Sequence, residues 1–314
     1  MKRQPKENHM FHLNLQTINV IAIVDQWVNQ TLTELQNHQQ INLFDVCEFL
    51  NEYQPYLIDI YLQGYEYSGA IHAFVKSVES VLEDKYYEGV TWNQELAEQF
   101  VIRLSAYKSL VIGWYANQAQ QEEKNRSQLR IYTNQLINHY ARLLFVRVDL
   151  SYLSDKRPSL TPEDFDNHMN KLMEHISNKK GCFKGLQGYA WAIEQGIDKG
   201  YHCHLLLMYD GARHHKDYGL AVQVGEKWRK ITADRGCYFN CSCSERKQYL
   251  QANGALGLGM IHRDNPVEIS NAMNTALYLT EPSKQQFLIV KLANMRTFGK
   301  GQFNVSWRRD VNRM

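Results

Sequence analysis

The two halves of this 314-residue chain carry different hydrophobic patterns, and this difference constrains the fold more than any single motif. Between residues 70 and 111, apolar residues recur at steps of three and four, which is the spacing of one helix face. After residue 141, runs of bulky and β-branched residues alternate with stretches of helical spacing. We therefore predict an α+β protein in which a helical region precedes a mixed domain.

The domain boundary is predicted near residue 135. No proline occurs between Pro55 and Pro158, and the polar segment 118–128 contains neither glycine nor proline, so it is interpreted as an exposed helical connector. Residues 1–135 then form an all-helical N-terminal region, and residues 136–314 form the second domain.

The second domain is predicted to contain strands and helices in alternation. The strands are expected around residues 142–150, 189–193 and 201–209, and the helices around residues 161–176, 220–231 and 266–280. Pro282 should stop the last of these helices. This order favours a mostly antiparallel central sheet flanked by helices.

Charge is divided unevenly along the chain, although its formal net charge is only +2. Residues 1–140 hold 10 basic and 16 acidic residues, whereas residues 141–314 hold 25 basic and 17 acidic residues. A net charge of +8 on the second part indicates a polyanionic partner. The alternative is that two domains of opposite charge attract each other.

Composition argues against a secreted or membrane protein. No apolar run approaches the roughly 20 residues that cross a bilayer, and the polar N-terminus lacks the apolar core of a signal peptide. Six cysteines are sparse in a chain of this length. We expect a cytoplasmic protein with reduced thiols, and no membrane partner.

A candidate metal site follows from alternation along the strand 201–209. His202 and His204 flank Cys203, so their imidazoles share one face of the sheet. A hairpin between this strand and the preceding one brings Glu194 close to His202, which gives two imidazoles and one carboxylate. Two surface histidines on an edge strand are the alternative. The adjoining run Leu205–Met208 favours a buried central strand instead, where paired histidines need partners.

Two other features carry less weight. Tyr278, near the end of the predicted helix 266–280, is by itself more typical of a core tyrosine. To act as a nucleophile, a phenol of pKa about 10 needs an activated acceptor such as a metal-polarised phosphate.

Cys237, Cys241 and Cys243 lack paired Cys-x-x-Cys spacing and a fourth ligand, so coincidence is favoured over a zinc site.

Five segments in this order resemble the gene-two-type replication initiators of inoviruses and filamentous prophages. These initiators belong to the HUH superfamily (histidine, hydrophobic residue, histidine), which includes rolling-circle Rep proteins and relaxases. The resemblance spans residues 140–305. The segments are Arg147–Leu150, Tyr189–Glu194, Gly200–Leu207, Gly254–Ile261 and Ala276–Thr280.

The resemblance implies a function and a set of roles. His202, His204 and Glu194 would bind a divalent metal, Mg²⁺ or Mn²⁺, and Tyr278 would be the single nucleophile, with Tyr249 a weaker alternate. The implied enzyme nicks single-stranded origin DNA through a 5′-phosphotyrosine and frees a 3′-hydroxyl that primes replication. A host helicase or polymerase is a candidate partner.

One departure from the family pattern keeps an alternative open. Many relatives carry a lysine three residues after the tyrosine, where this chain has Glu281; Lys284 is the next candidate. Loss of that cation favours a non-catalytic DNA-binding or regulatory protein on a degenerate HUH scaffold. A third hypothesis, a metallohydrolase that uses water, keeps the metal site and drops the tyrosine.

Overall fold

The structure, a computed structural model, divides into two compact units. It describes residues 13–15, 17–61, 64–82, 89–196, 199–281 and 287–304. The first unit comprises the described residues within 1–117, together with 157–164 and 289–295. The second comprises 118–156, the described residues within 165–288, and 296–304.

Helices form most of the first unit. Its elements are α1 (Thr17–Gln36), α2 (Leu43–Ile60), β1 (Tyr65–Tyr67), α3 (Gly69–Leu82), α4 (Gln94–Ala106), the start of α5 (Lys108–His139) and β7 (Val290–Leu292). The N-terminal region is helical, as predicted, apart from the short strand β1, which pairs antiparallel with β7. The boundary predicted near residue 135 falls within α5 and stays a prediction.

Amphipathic helix faces build the core of this unit. On α1, Ile21, Val24 and Val28 are fully buried at steps of three and four. Phe74 of α3 meets Phe100 of α4 edge to face, with ring centroids 5.4 Å apart. The periodicity that predicted helices therefore also identifies the packed faces.

The second unit contains a six-stranded antiparallel sheet with helices. Its strands are β2 (Arg142–Tyr152), β3 (Leu186–Gly196), β4 (Gly200–Asp210), β5 (Gly236–Asn240), β6 (Gly259–His262) and β8 (Phe298–Lys300). Its helices are the rest of α5, most of α6 (Pro162–Ser177), α7 (Asp217–Ile231), α8 (Ser244–Ala252) and α9 (Pro266–Leu277). Short 3₁₀ turns cover Ser154–Ser159, Gly181–Phe183 and Tyr278–Thr280.

Strand β4 lies at the centre of the sheet. The order is β5-β2-β4-β3-β8, and β6 pairs with the start of β2 on the edge that β5 also uses. All pairings are antiparallel, which confirms the predicted fold class. The buried central position predicted for Leu205–Met208 is also confirmed.

Both faces of this sheet are covered, and alternation assigns each side chain to one of them. Phe145 of β2, Ala192 of β3 and Leu206 of β4 join one buried cluster with residues of α5 and α9. On the other face, Tyr152 packs its ring 5.6 Å from that of Trp228 in α7. A strand that is covered on both faces carries apolar residues at successive positions, and this explains the apolar composition of β4.

Several elements differ from the sequence-based expectation. The segment 118–128 lies within α5, as predicted, but β5, β6 and α8 were not predicted. Helix α9 ends at Leu277, so Tyr278 begins a 3₁₀ turn instead of continuing the helix. Pro282 and Lys284 lie outside the described residues. Among the described helices, none has the length and apolar character that a bilayer crossing requires.

Candidate metal centre and its cavity

Two neighbouring strands bring the candidate ligands together, and a third adds Asp149 beside them. In the β3–β4 hairpin Glu194 pairs with His202, and across the β4–β2 ladder His204 pairs with Asp149. His202 and His204 share sheet-face parity with Leu206, so they continue the apolar α5/α9 face toward the start of β4. The structure thus places both imidazoles on one face, as strand alternation predicts.

Glu194, His202 and His204, hereafter the metal-ligand cluster, have ligand atoms that all lie within 4.8 Å of one another. The Oε2 atom of Glu194 is 3.1 Å from Nε2 of His204 and 3.7 Å from Nε2 of His202. All three residues are buried, and no other group of three or more such ligands occurs among the described residues. A divalent ion coordinates ligands of this type at about 2.0–2.2 Å, so one ion can reach all three.

Hydrogen bonds on the outer side of each imidazole fix its orientation. Nδ1 of His202 donates to the carbonyl oxygen of Gly200 over 3.1 Å, and Nδ1 of His204 donates to Oδ1 of Asp149 over 2.7 Å. Both assignments leave Nε2 as the atom that faces Glu194. Metal-binding histidines in proteins are oriented in this way, so the donor set and its outer contacts fit a divalent metal.

Charges around His204 are strongly coupled. Burial opposes ionisation of Asp149, but the hydrogen bond from His204 and the charge of Arg147 outweigh it, and the pKa of this carboxyl lies well below its usual range. Burial also opposes protonation of His204, yet its bonds to Asp149 and Glu194 raise its pKa. A metal ion bound at Nε2 of His204 would take the place of that proton.

Arg147 completes this group from β2. Its Nε and Nη2 atoms donate to the two carboxylate oxygens of Asp149 over 3.0 and 3.2 Å. Burial opposes the charge of the guanidinium, but the neighbouring Asp149 more than compensates, so the pKa of Arg147 is raised. The result is a partly buried chain of contacts from Arg147 through Asp149 to His204.

Tyr278 stands next to this chain. It follows the last residue of α9, is 43% exposed, and has its ring centroid 5.9 Å from that of His204. The Cζ atom of Arg147 lies 4.6 Å from the centroid of the Tyr278 ring, a cation–π contact. The phenol therefore borders the metal-ligand cluster and is not sealed in the core.

Polar contacts at both ends of α9 fix the position of Tyr278. At the start, the side chain of Asn265 accepts from the amides of Val267 and Glu268. Beyond the end, Nη1 of Arg126 donates to the carbonyl oxygen of Leu277 and ion-pairs with Glu281 at 3.0 Å. Glu281 is therefore engaged in holding the turn that carries Tyr278.

A cavity of about 510 Å³ opens over the two histidines and Tyr278 and is called the site cavity below. Three cations line it, namely Arg147, Lys199 and Arg246, together with the half-exposed ring of Phe239. The helix α8, which carries Arg246, also presents the exposed Tyr249. The cavity can accept a large anionic molecule with flat groups that stack on aromatic rings.

The structure brings together Glu194, His202 and His204, which sequence patterns singled out, and it sets Tyr278 beside them. The roles of Arg147 and Asp149 were not predicted. A signal was present, because two charged residues at alternate positions of an apolar strand place their side chains on one face of the sheet. Arg246 and Phe239 belong to α8 and β5, which carry no clear pattern.

The cysteines occupy separate environments. Cys241 lines the site cavity, where burial and the charge of Asp149 raise the pKa of its thiol to about 12. The Cys237 thiol instead contacts the Ser151 hydroxyl at 3.1 Å. A thiol with so high a pKa stays protonated and is a poor nucleophile.

Comparison with known proteins identifies a family. The family model described as the YagK/YfjJ C-terminal domain matches residues 113–301, which is more than half of the chain. No curated protein and no solved structure matches the chain.

Proposed function

The chain belongs to the YagK/YfjJ C-terminal domain family, and we propose that it is a metal-dependent endonuclease of the HUH superfamily, similar to inovirus replication initiators. Its substrate is single-stranded DNA at a replication origin, and Tyr278 is the nucleophile. The observation that carries this proposal is that both histidines of the metal-ligand cluster and an exposed phenol line one basic cavity.

The reaction is a transesterification. The Oη atom of Tyr278 bonds to the scissile phosphorus as the bond from phosphorus to the 3′-oxygen breaks; the phenol loses a proton and the leaving oxygen gains one. The products are a 5′-phosphotyrosine and a free 3′-hydroxyl, and the reverse reaction rejoins the strand. A divalent ion, when bound, withdraws electron density from the phosphoryl group.

The chain's own residues prepare this step. Glu194, His202 and His204 would hold the ion, and Asp149 fixes the imidazole of His204. Helix α9 and the contacts of Arg126 keep the phenol close to the cluster. The resemblance to inovirus initiators implies Mn²⁺ or Mg²⁺ as that ion, and the two imidazoles make zinc a competitor.

Single-stranded DNA fits the remaining walls of the site cavity. Lys199 and Arg246 supply charge for the backbone, and Phe239 supplies an exposed ring on which a base can stack. This polyanion also matches the excess of basic residues after residue 140.

The covalent intermediate provides the test. The full chain is incubated with Mn²⁺ and a pool of single-stranded oligonucleotides that carry a label at the 3′ end. We expect a labelled adduct that survives denaturation, because the 5′ end of the 3′ fragment becomes attached to protein. The same pool labelled at the 5′ end should give no labelled adduct.

Matched tyrosine variants assign the nucleophile. Tyr278→Phe removes one hydroxyl and should abolish the adduct, whereas Tyr249→Phe removes a hydroxyl from the exposed face of α8 and should not. An adduct of normal yield with Tyr278→Phe, or its loss with Tyr249→Phe alone, contradicts the assignment.

A second candidate function is DNA binding without cleavage. Glu281 favours it, because it stands where many relatives carry a lysine. Its carboxylate is paired with Arg126, so this position supplies no cation to the site. This candidate predicts DNA binding that survives EDTA and the loss of either histidine, with no adduct. Turnover of small phosphodiesters without an adduct would instead indicate a hydrolase that uses water.

A further inference from the structure

One guanidinium contacts both His204 of the metal-ligand cluster and the ring of Tyr278. Arg147 projects from β2, lines the site cavity and places Cζ 4.6 Å from the centroid of the Tyr278 ring. Its Nη2 atom is 3.0 Å from Nδ1 of His204. Any anion that reaches Tyr278 and the cluster together must therefore come close to this cation.

The guanidinium of Arg147 is held in place by Asp149, and not all of its N–H donors are engaged. Its side chain is only 12% exposed, and the fork to Asp149 uses Nε and Nη2. Nη1 makes no hydrogen bond to the other described residues. A mostly buried arginine that is oriented by one carboxylate, with an N–H donor still available, is suited to bind an oxyanion.

Attack on a phosphodiester needs such a cation. Negative charge builds up on the non-bridging oxygens as the phenol adds, and a fixed positive group stabilises that charge most when it does not have to reorganise. Glu281 cannot supply it because it is an acid. Its partner Arg126 is already engaged by Glu281 and by the carbonyl oxygen of Leu277. Lys199 and Arg246 line the same cavity, but Arg147 is stacked on the phenol.

We propose that Arg147 forms the subsite for the scissile phosphate, with Nη1 donating to a non-bridging oxygen while Asp149 holds the other edge. This inference rests on the proposed function. It makes Arg147 a catalytic residue that contacts the reacting phosphate, and it makes Asp149 a positioning residue for both Arg147 and His204.

The test compares Arg147→Gln and Arg147→Lys with a matched control. Arg229→Gln makes the same change on α7, where the arginine ion-pairs with Glu226 and Asp234 at the surface. Adduct formation is timed at saturating DNA and Mn²⁺, and Mn²⁺ affinity is measured separately by calorimetry. Melting curves establish that each variant folds.

Arg147→Gln should form the adduct about 100 to 1,000 times more slowly, the usual effect of losing one transition-state donor. Its Mn²⁺ affinity should stay within a few-fold of the parent, Arg147→Lys should recover part of the rate, and Arg229→Gln should match the parent. An unchanged rate for Arg147→Gln overturns the inference. So does a loss of Mn²⁺ affinity as large as the loss of rate, because Arg147 would then act only through His204.

Binding of inorganic phosphate separates this inference from the proposed function. In Mg²⁺ buffer, calorimetry should detect phosphate binding by the parent and by Arg229→Gln, and at least tenfold weaker binding by Arg147→Gln. If the parent forms no adduct yet binds phosphate through Arg147, the nickase proposal fails and the subsite stands. If the parent nicks DNA and Arg147→Gln neither slows nicking nor weakens phosphate binding, the subsite alone fails.

Discussion

Gly257 sits against helix α9, and enlarging it by one methyl group should move Tyr278 without touching the metal-ligand cluster. A Cβ atom at residue 257 would lie 2.0 Å from the carbonyl oxygen of Asn271 and 2.4 Å from Oγ1 of Thr275. Ordinary contact begins at 3.4 Å, so the loop and the helix must separate by about 1.4 Å, the difference between 3.4 and 2.0 Å. Thr275 lines the site cavity, one turn before Tyr278.

Two effects of known size follow for Gly257→Ala. Overpacking of this kind costs about 1–3 kcal/mol of unfolding free energy. A displacement of about 1 Å at a reacting group costs roughly 100-fold in rate, so adduct formation should slow by that order. Mn²⁺ affinity should hold, because the cluster lies on β3 and β4.

Urea denaturation, timed adduct formation and Mn²⁺ calorimetry together measure these effects. Gly219→Ala is the matched control: nothing lies within 4 Å of its added Cβ atom, and in helix α7 the change should stabilise the chain by about 0.5–1 kcal/mol. If Gly257→Ala has the same unfolding free energy and the same rate of adduct formation as the parent, this account of how α9 is held is refuted. Equal losses of rate and of Mn²⁺ affinity would show that α9 and the cluster do not move independently.

Three further expectations concern the metal, the core and the first unit. Asp149→Ala should weaken Mn²⁺ binding about 10- to 100-fold by calorimetry, because His204 loses the acceptor that orients it; unchanged affinity would contradict that role. Leu206→Ala, in the fully buried centre of β4, should cost about 2–5 kcal/mol in urea denaturation, and a cost below 1 kcal/mol would be inconsistent with a packed site. Burial raises the pKa of Asp25, despite hydrogen bonds from Ser68 and Tyr115. The folded state therefore holds this proton more tightly than the unfolded state, so the stability from Asp25 is present in acid and declines as pH rises above the ordinary carboxyl value of about 4. Hydrogen exchange at α1 should show this decline in the parent but not in Asp25→Asn, and identical profiles would refute it.

Sequence patterns identified the parts of the site that obey strict periodicity. Alternation along β4 was enough to put His202 and His204 on one face, and the glycine-bounded turn was enough to pair Glu194 with them. Both inferences depend only on the pleat and on neighbouring strands, which local sequence encodes well.

The remaining contacts depend on tertiary packing. Asp149 meets His204 only because β2 pairs with β4 across 55 positions of chain. Strand β5 and helix α8 are short and weakly patterned, so Phe239 and Arg246 could not be placed in the cavity beforehand. The end of α9 also differs from the prediction, because Arg126 donates to carbonyl oxygens that a longer helix would have used.

The β1–β7 pair has a consequence for synthesis of the chain. Tyr67 and Val290 pair across 223 positions, so β1 emerges from the ribosome long before its partner exists. At about 5–20 residues per second the wait is roughly 10–45 s, during which the edge of β1 stays open. The first unit therefore reaches its native hydrogen bonding only after residues 290–292 have been synthesised, and fragments that stop before residue 290 leave that edge unpaired.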